Sequence, residues 1–518
     1  MTLIRHHRLR LSAALAAVLI AACAPARQAT EPASAFPRQA VEEVFATGYG
    51  GIKEKYIEPV VIGELAFEGL RGLGSIDPEL SVRRDGGEVV LSVGERTVAR
   101  FLAPKEGDVQ GWAELTSRVS AAGRLNSTDL HAASPERLYE AVFDGVLSNL
   151  DSYSRYAGTV KAKKNRDKRD GYGGIGIRFK VRDGTAWVTE VMPKTPAARA
   201  GLKRNDRITH VDGIPVEGSG TREVGDRLRG PVHSRVTLTV LREGEAKPLE
   251  FLIERSKIVP PTVTYGFEDG IVFLKISGFN QRTAKSMADM LKKARDTQGD
   301  RIKGLILDLR GNPGGLLKQS IKVADLFLSQ GNIVITRGRH PDSNQHYLAK
   351  DRNLAAGIPV AILVDGKSAS AAEVVAAALQ DRGRAVVIGT ATFGKGTVQT
   401  VLRLPNDGEI TLTWSRLIPP SGYILHEVGV LPTICTSGAS GKGRDLISRA
   451  IEQRLEAEAA WRKAGSGDDE RRQDLRASCP SERRRDSFDV EVARRLLGDL
   501  VLYARALSLS AASTAARF

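Results

Sequence analysis

Two short stretches carry residue types from which bond-breaking chemistry can be built. One is VDGKSASAAEVVAAALQ, Val364–Gln380, in which Ser370 stands at the opening of an alanine-rich helical run. The other is ATFGKGTVQ, in which Lys395 sits between Gly394 and Gly396, 25 residues beyond the serine. Ser370-Ala-Ala-Glu373 fits a capping box, so a serine that only caps a helix is one reading. A nucleophile is the other, and it needs a base. No histidine lies near Ser370 in sequence. A lysine serves once burial has lowered its pKa toward neutrality, because a dry environment disfavours the ammonium. A neutral Lys395 would take the Ser370 proton and later return it to a leaving amine.

Such chemistry also needs donors for an oxyanion. A helix start supplies N–H groups and a positive dipole end, which makes the Ala371 amide one candidate. The second is expected from LILDLRGNPGG, where Gly314 and Gly315 can take positive φ and expose their amides. The bland reading of that turn is a joint between a strand and a helix.

These stretches need elements to bring them together. From Gly270 onward strand and helix patterns alternate: GIVFLKIS, a helix from Gln281, IKGLILDL, a helix from Leu316, NIVIT, IPVAILV, the helix from Ser370, and RAVVIG. That order implies an α/β layer with parallel pairing. A helix, a turn and a strand between Ser370 and Lys395 suffice to return the lysine beside the helix start. Residues 41–157 read as mainly helical, with a small β insertion around Asp85-Gly86-Gly87. The charge run KAKKNRDKRD, within 158–170, reads as a basic, solvated linker. Residues 171–256 switch to short β-branched runs. From residue 437 to 518 the chain is polar and helical. There EVARRLLGDLVLYARAL has apolar residues at helical spacing, as a docking or partner-contacting helix would.

Residues 171–256 resemble a PDZ domain. The likeness rests on the loop Gly173-Gly174-Ile175-Gly176-Ile177, the block PAARAGLKRNDRITHVDGIPV and a late helix at TREVGDRLRG. It implies that the amides of Gly174, Ile175, Gly176 and Ile177 cradle a peptide carboxylate, with the peptide added as a strand to an open edge.

DLRGNPGG, GKSASAAEVVAAALQDRGRAVVIG and TFGKGTVQT, in that order, resemble the carboxy-terminal processing (tail-specific) serine peptidases. The likeness runs from about Tyr139 to Pro432 and includes LDSYSRY. It implies a Ser–Lys dyad of Ser370 and Lys395, with Gln399 four residues past the lysine, on the same strand face, orienting its amine. It also places weight on Glu373, Asp381 and Thr392. Asp381 stands near a helix C-terminus, the wrong end for a carboxylate, unless Arg382 and Arg384 offset it. The fold implied is an α/β, crotonase-like protease core over 257–436 with an inserted β-rich PDZ domain and helical N- and C-terminal regions. The substrates implied are proteins or peptides with apolar C-termini, with an adaptor protein as a candidate further partner and no cofactor. Where the family often has a third serine, this chain has Ala372.

Two other classes compete. GTATFGKGT nearly spells a phosphate-binding P-loop, yet position eight is Gly396 instead of a hydroxyl residue, and TVQTVLRL reads as a strand where a P-loop opens a helix. A PDZ adaptor without catalysis is the other. Ser370, Lys395 and Gln399 together argue against it. His340, His346 and His426 show no metal-ligand spacing, so no metal is expected.

The chain has 518 residues, a formal net charge of +15 and a pI near 9.7. That charge allows attraction to anionic surfaces. An aromatic content of 5% argues against a stacking platform for single-stranded nucleic acid, and no nucleic-acid partner is expected. The first residues are basic, then apolar for about a dozen positions, then reach Cys23, as in a secretory signal too short to span a bilayer. Ile20-Ala21-Ala22-Cys23 resembles a bacterial lipobox. The expectation is a signal peptide over 1–22, lipidation of Cys23, a tether over 23–40, and a periplasmic protein anchored to a membrane, the outer one in a Gram-negative bacterium. Cys435 and Cys479 remain. Paired, they would close a 44-residue loop worth about 4 kcal/mol; two free thiols are the alternative.

Overall fold

The computed structural model describes residues 36–438, 470, 474, 476–483 and 487–511. The apolar leader and Cys23 lie outside them. Among the described residues no helix is long and apolar enough to cross a membrane.

The N-terminal region packs the helices Arg38–Lys55, Ile62–Arg71, Val109–Asn126 and Pro135–Leu147 around one core. Phe45, Tyr49, Trp112 and Phe143 are fully buried there. Each such side chain contributes about 1.5–3 kcal/mol of burial. The expected hairpin at Asp85-Gly86-Gly87 extends to a three-stranded antiparallel sheet, Leu80–Asp85, Glu88–Val93 and Arg96–Leu102, because Gly94 at φ +57° makes a second tight turn.

The basic stretch between the N-terminal region and the PDZ-like segment is a helix, Thr159–Asp170. Arg166 and Arg169 each reach Glu409 at 3.1 Å, and the Glu409 side chain is only 3% exposed. That buried carboxylate gives the run a fixed partner, which charge composition alone cannot reveal.

The PDZ-like segment has its own core, with Ile208, Val211, Leu238 and Val240 buried. Its antiparallel strands run Leu249–Glu254, Arg235–Leu241, Arg207–Val211, Thr185–Val191 and, at the edge, Ile177–Arg182.

The sheet that carries the chemistry-bearing stretches runs Val263–Glu268, Ile271–Ile276, Gly304–Asp308, Val360–Val364, Val386–Gly389 and Ile434–Cys435. Its first pair is antiparallel and the rest are parallel. Strands such as GLILD and VAILV are buried along their whole length, as in a sheet covered on both faces. The helices Thr283–Gln298, Leu317–Asp325 and Ala371–Asp381 cover one face. The tail helices Phe488–Gly498 and Leu500–Ala511 cover the other, burying Val492, Leu496 and Tyr503 against Ile306, Leu363 and Ile388. The amphipathic tail thus docks on its own chain. A second sheet, Gln345–Leu348, Asn332–Arg337, Glu409–Ile418 and Thr397–Arg403, joins the N-terminal core through Leu402, Leu404, Ile410 and Leu412.

Candidate active site

The strand Val360–Val364 ends at Asp365, and a side-chain-wired turn leads to Ser370. Asp365 Oδ1 accepts from the amides of Gly311 (2.9 Å), Lys367 (3.0 Å) and Ser368 (3.1 Å). Ser368 Oγ donates to Leu309 O at 2.9 Å, and the Ala369 amide donates to Asn312 O at 2.9 Å. The turn is thereby fastened to the RGNPGG loop. Ser370 adopts φ +54°, ψ −113°. Ser370 is the N-cap of its helix, with Glu373 returning to its amide as in a capping box, yet a capping serine ordinarily sits in the extended region. A non-glycine residue held at positive φ costs on the order of 1–3 kcal/mol, persists only where its surroundings over-determine it, and is the backbone form of a serine pushed out on a strand-to-helix turn.

Glu373 is what over-determines it. Its carboxyl group is fully buried and accepts four hydrogen bonds. Oε2 takes the Ser370 amide (2.6 Å) and the Lys395 amide (2.9 Å). Oε1 takes Thr392 Oγ1 (2.5 Å) and the Gly394 amide (2.7 Å). Thr392 Oγ1 itself accepts from the Val430 amide at 2.8 Å, so its proton is directed at Glu373. Burial pushes the Glu373 pKa up, while the four donated bonds pull it down. One carboxylate oxygen therefore bridges the backbones of Ser370 and Lys395.

Lys395 projects from a loop whose glycines are required. Gly394 has φ +89°, and a Cβ on Gly396 would lie 2.0 Å from the His426 nitrogen. The amine stands 4.8 Å from the centre of the Tyr153 ring. Burial lowers its pKa from 10.5 to about 8; Arg155 adds to the shift, and Asp151 and Glu373 oppose it. Among the described residues no hydrogen bond joins the Ser370 hydroxyl to this amine; the link between the two residues is the shared Glu373. Catalytic hydrogen bonds of this kind are often long without substrate. Tyr153, Thr397 and His426 border a cavity of about 290 Å³ that also touches Asp151 and Arg416.

The oxyanion donors need one correction. The Gly314 amide is already committed to Asn312 Oδ1 at 2.9 Å, because the fully buried Asn312 folds back over its own turn. Gly314 serves instead as a close neighbour: a Cβ there would lie 2.9 Å from Ser370 Cβ and 3.1 Å from the Ala371 nitrogen. The amides of Ala371 and Gly315 accept no such commitment among the described residues.

Gln399 is a second correction. It lies in the strand Thr397–Arg403, and its amide donates to Thr397 Oγ1 (2.9 Å) and Thr413 Oγ1 (3.4 Å), not to Lys395. Lys395 precedes that strand, so strand alternation does not relate the two. Asp381 is a third. It ends an 11-residue helix, about 16 Å along the axis from Ser370 at 1.5 Å per residue. There it accepts from the Ser421 amide (3.0 Å) and hydroxyl (2.5 Å), while Arg384 spends its donors on the carbonyls of Phe327, Ala355 and Ile358.

In the PDZ-like segment, Gly174, Ile175, Gly176 and Ile177 all line one groove of about 470 Å³ between the edge strand Ile177–Arg182 and the helix Thr221–Leu228. Gly174 pairs with Ser256 and Ile177 with Val191. Among the described residues the Ile175 and Gly176 amides have no acceptor. Gly176 has φ +86°, and a Cβ there would meet Thr195 at 2.4 Å.

Cys435 and Cys479 form a disulfide, with Cα atoms 6.0 Å apart. Sequence reasoning assigned no role to Asp151, Tyr153, Arg155 or Asn312. The first three sit in the LDSYSRY stretch, whose likeness was visible without its place beside Lys395.

Comparison with known proteins agrees with the two resemblances. Peptidase family S41 matches residues 270–436, and a PDZ domain matches residues 187–242. The chain is 40% identical over 304 residues to a carboxy-terminal-processing protease of Bartonella bacilliformis, covering 58% of this chain and 69% of that protein. It is 34% identical over 313 residues to a probable CtpA-like serine protease of Staphylococcus aureus, covering 60% of this chain and 62% of the staphylococcal protein. Among solved structures, a photosystem II D1 C-terminal processing protease aligns with a TM-score of 0.38 at 21% identity, over 76% of this chain and 92% of that one.

Proposed function

The chain belongs to peptidase family S41 and is a serine-type peptidase with a PDZ domain, and from that premise we propose a C-terminus-directed endopeptidase whose dyad is Ser370 and Lys395. The observation that carries this reading is the single Glu373 oxygen that accepts both the Ser370 and the Lys395 amide. It ties a strained serine and a lysine with a burial-lowered pKa to one point.

Neutral Lys395 accepts the Ser370 proton as Oγ adds to the scissile carbonyl. The developing oxyanion is met by the Ala371 and Gly315 amides at the positive end of the helix. The ammonium then protonates the departing amine, and water, activated by the same lysine, hydrolyses the ester. The PDZ groove receives the free C-terminus of an unfolded or extended chain through Ile175 and Gly176 and adds it to the Ile177–Arg182 edge. The alternation of strands and helices in the core is what a crotonase-like arrangement would need. The basic, apolar and cysteine pattern up to Cys23 supports secretion to the periplasm and lipid anchoring there. The P-loop alternative loses its support, since the element that directly follows Lys395 is the strand Thr397–Arg403 and not a helix.

The test is hydrolysis of a peptide with a free, apolar C-terminus by the full chain, with Ser370→Ala and Lys395→Ala beside it. Activity that rises with pH through a limb near 8 in the parent protein, and vanishes in both variants, is the expected result. Turnover by Lys395→Ala at the parent rate would refute the dyad.

A further inference from the structure

Arg476 belongs to the C-terminal extension, outside every stretch that carries chemistry by sequence. Its Nη1 donates to Glu427 O (3.1 Å) and Val428 O (3.0 Å). Its Nη2 donates to Thr392 O (3.1 Å) and Ser481 Oγ (2.8 Å). Ser481 Oγ passes its own proton to Ala391 O at 2.9 Å. One residue on, the Glu482 amide donates to Thr390 Oγ1 (3.1 Å), and Glu482 O accepts the Gly366 amide (2.7 Å). Residues 476–482 therefore lie as a strap along 390–394, the loop that leads into Lys395, and touch the turn that leads into Ser370. Cys479, in the middle of the strap, is tied by its disulfide to Cys435 on the edge strand of the main sheet.

The clamp acts where the loop is least held by its neighbours. Glu373 grips the loop from the helix side, through Thr392, Gly394 and Lys395. On the other side the loop meets the Leu425–Val430 turn, through Thr392 N to Val430 O (3.2 Å) and Glu427 N to Gly394 O (2.8 Å). Arg476 spans that seam, bonding a carbonyl of the loop and two of the turn with one rigid guanidinium. A Cβ on Gly394 would lie 3.1 Å from Arg476 Nη1, so the guanidinium also covers the loop directly before Lys395.

We infer that Arg476 is a positioning residue for Lys395: with Ser481 it locks the 392–394 loop to the 427–428 turn, and so sets the place and the dryness of the lysine amine. This rests on the dyad reading above. Burial, the main cause of the lowered Lys395 pKa, is what the strap helps maintain. The charged and titratable groups facing that amine or the loop that carries it are Asp151, Tyr153 and Arg155 from the segment before the basic helix, Glu373 from the Ser370 helix, His426 and Glu427 from the turn, and Arg476 from the strap. Losing Arg476 frees the outer side of the loop and admits water toward the amine, which raises the lysine pKa.

The test measures kcat and KM of the full chain from pH 6 to 10 on one peptide with a free C-terminus, for the parent, Arg476→Met, Arg476→Lys and Ser481→Ala. Arg476→Met is expected to lose about 30-fold or more in kcat, in line with the roughly 100-fold that a 1 Å misplacement can cost. KM should stay within about twofold, and the rising pH limb should move up by about half a unit or more. Arg476→Lys, which can still donate to the carbonyls, should recover at least about a tenth of the lost rate. Ser481→Ala should move both quantities the same way by less. A parent-like kcat in Arg476→Met overturns the inference, and so does a fall in kcat with an unmoved limb and no recovery in Arg476→Lys. If Arg476→Met shows no cooperative thermal unfolding, Ser481→Ala decides: an unchanged kcat and limb overturn the inference. Activity in Lys395→Arg would refute the dyad itself, whereas an inactive Lys395→Arg beside parent-like strap variants refutes only the role of Arg476.

Discussion

The turn that presents Ser370 and the turn that opens the PDZ groove are both short, glycine-assisted breaks, yet they are wired in opposite ways. Before Ser370, nearly every polar backbone group is committed: Asp365, Asn312 and Glu373 hold amides from three separate loops. At Ile175 and Gly176 the carbonyls are the committed groups, accepting from Ala197 (2.9 Å) and Met192 (3.0 Å), and the amides are left over. Chemistry on a peptide bond needs charge placed before substrate arrives, so the first turn spends buried carboxyl and amide side chains on rigidity. Recognition of an extended chain needs unspent donors on an accessible edge, and the second turn keeps them with few side chains involved.

Replacing the proposed base should break this contrast most severely. Lys395→Arg keeps the charge but cannot release a proton in a protein, so cleavage should fall about 10⁴-fold or more, while peptide binding to the groove persists. Steady-state hydrolysis beside fluorescence-anisotropy binding separates the two. Next is Glu373→Gln. An amide NH₂ would then face at least one of four donors, and kcat should drop on the order of 100-fold without loss of groove binding. Retention of full kcat would show that the bridge between Ser370 and Lys395 is structural decoration.

On the PDZ side the ligand, not the protein, is the variable to change, since backbone donors survive side-chain substitution. Amidating the peptide C-terminus should weaken its binding about tenfold, because charge-assisted hydrogen bonds are worth roughly 1.5–3 kcal/mol. Equal affinity for acid and amide would leave the Ile175–Gly176 amides without their assigned role.

The smallest effect sharpens the cost of the rigid site. Lys395 has a folded pKa of about 8 against 10.5 when exposed. Below pH 8 it is protonated in both states, and the folded protein carries the penalty of a buried ammonium. Between the two values the unfolded chain binds more protons, so this group's contribution becomes less unfavourable as pH rises. Lys395→Met should therefore stabilise the inactive protein by about 1–3 kcal/mol at pH 7, and by progressively less toward pH 10.5. Chemical denaturation at pH 7 and pH 10 checks the sign; a variant destabilised at both would contradict the buried-base description.

The residues of both proposed sites stand out in the sequence by type and local spacing. The SASAAE and FGKG stretches announce a serine at a helix start and a lysine freed by glycines, and the alternation from Gly270 announces the parallel layer. What misled was distance along the chain standing in for distance in space. Gln399 shares a nominal strand parity with Lys395, but the strand begins only at Thr397. Gly314 and Gly315 are equivalent in sequence, and only the fold of Asn312 decides which amide is spent.

Local pattern settled the chemistry on offer: a serine, a lysine, a glycine turn, an alanine-rich helix that carries Glu373, and a β-rich segment with a glycine-marked edge. Those follow from local periodicity, propensity and steric freedom, which a window of ten to twenty residues contains. Only the packed fold decided that Glu373 joins two backbone stretches 25 residues apart, at Ser370 and Lys395, that the basic run is a helix pinned to Glu409, and that Cys435 and Cys479 pair. It also brought Asp151 and Tyr153 to one lysine and Arg476 to the loop that leads into it. Those are contacts between segments far apart in the chain, and their energy comes from burial and complementary hydrogen bonding that exist only once the sheet and its two helical layers have closed.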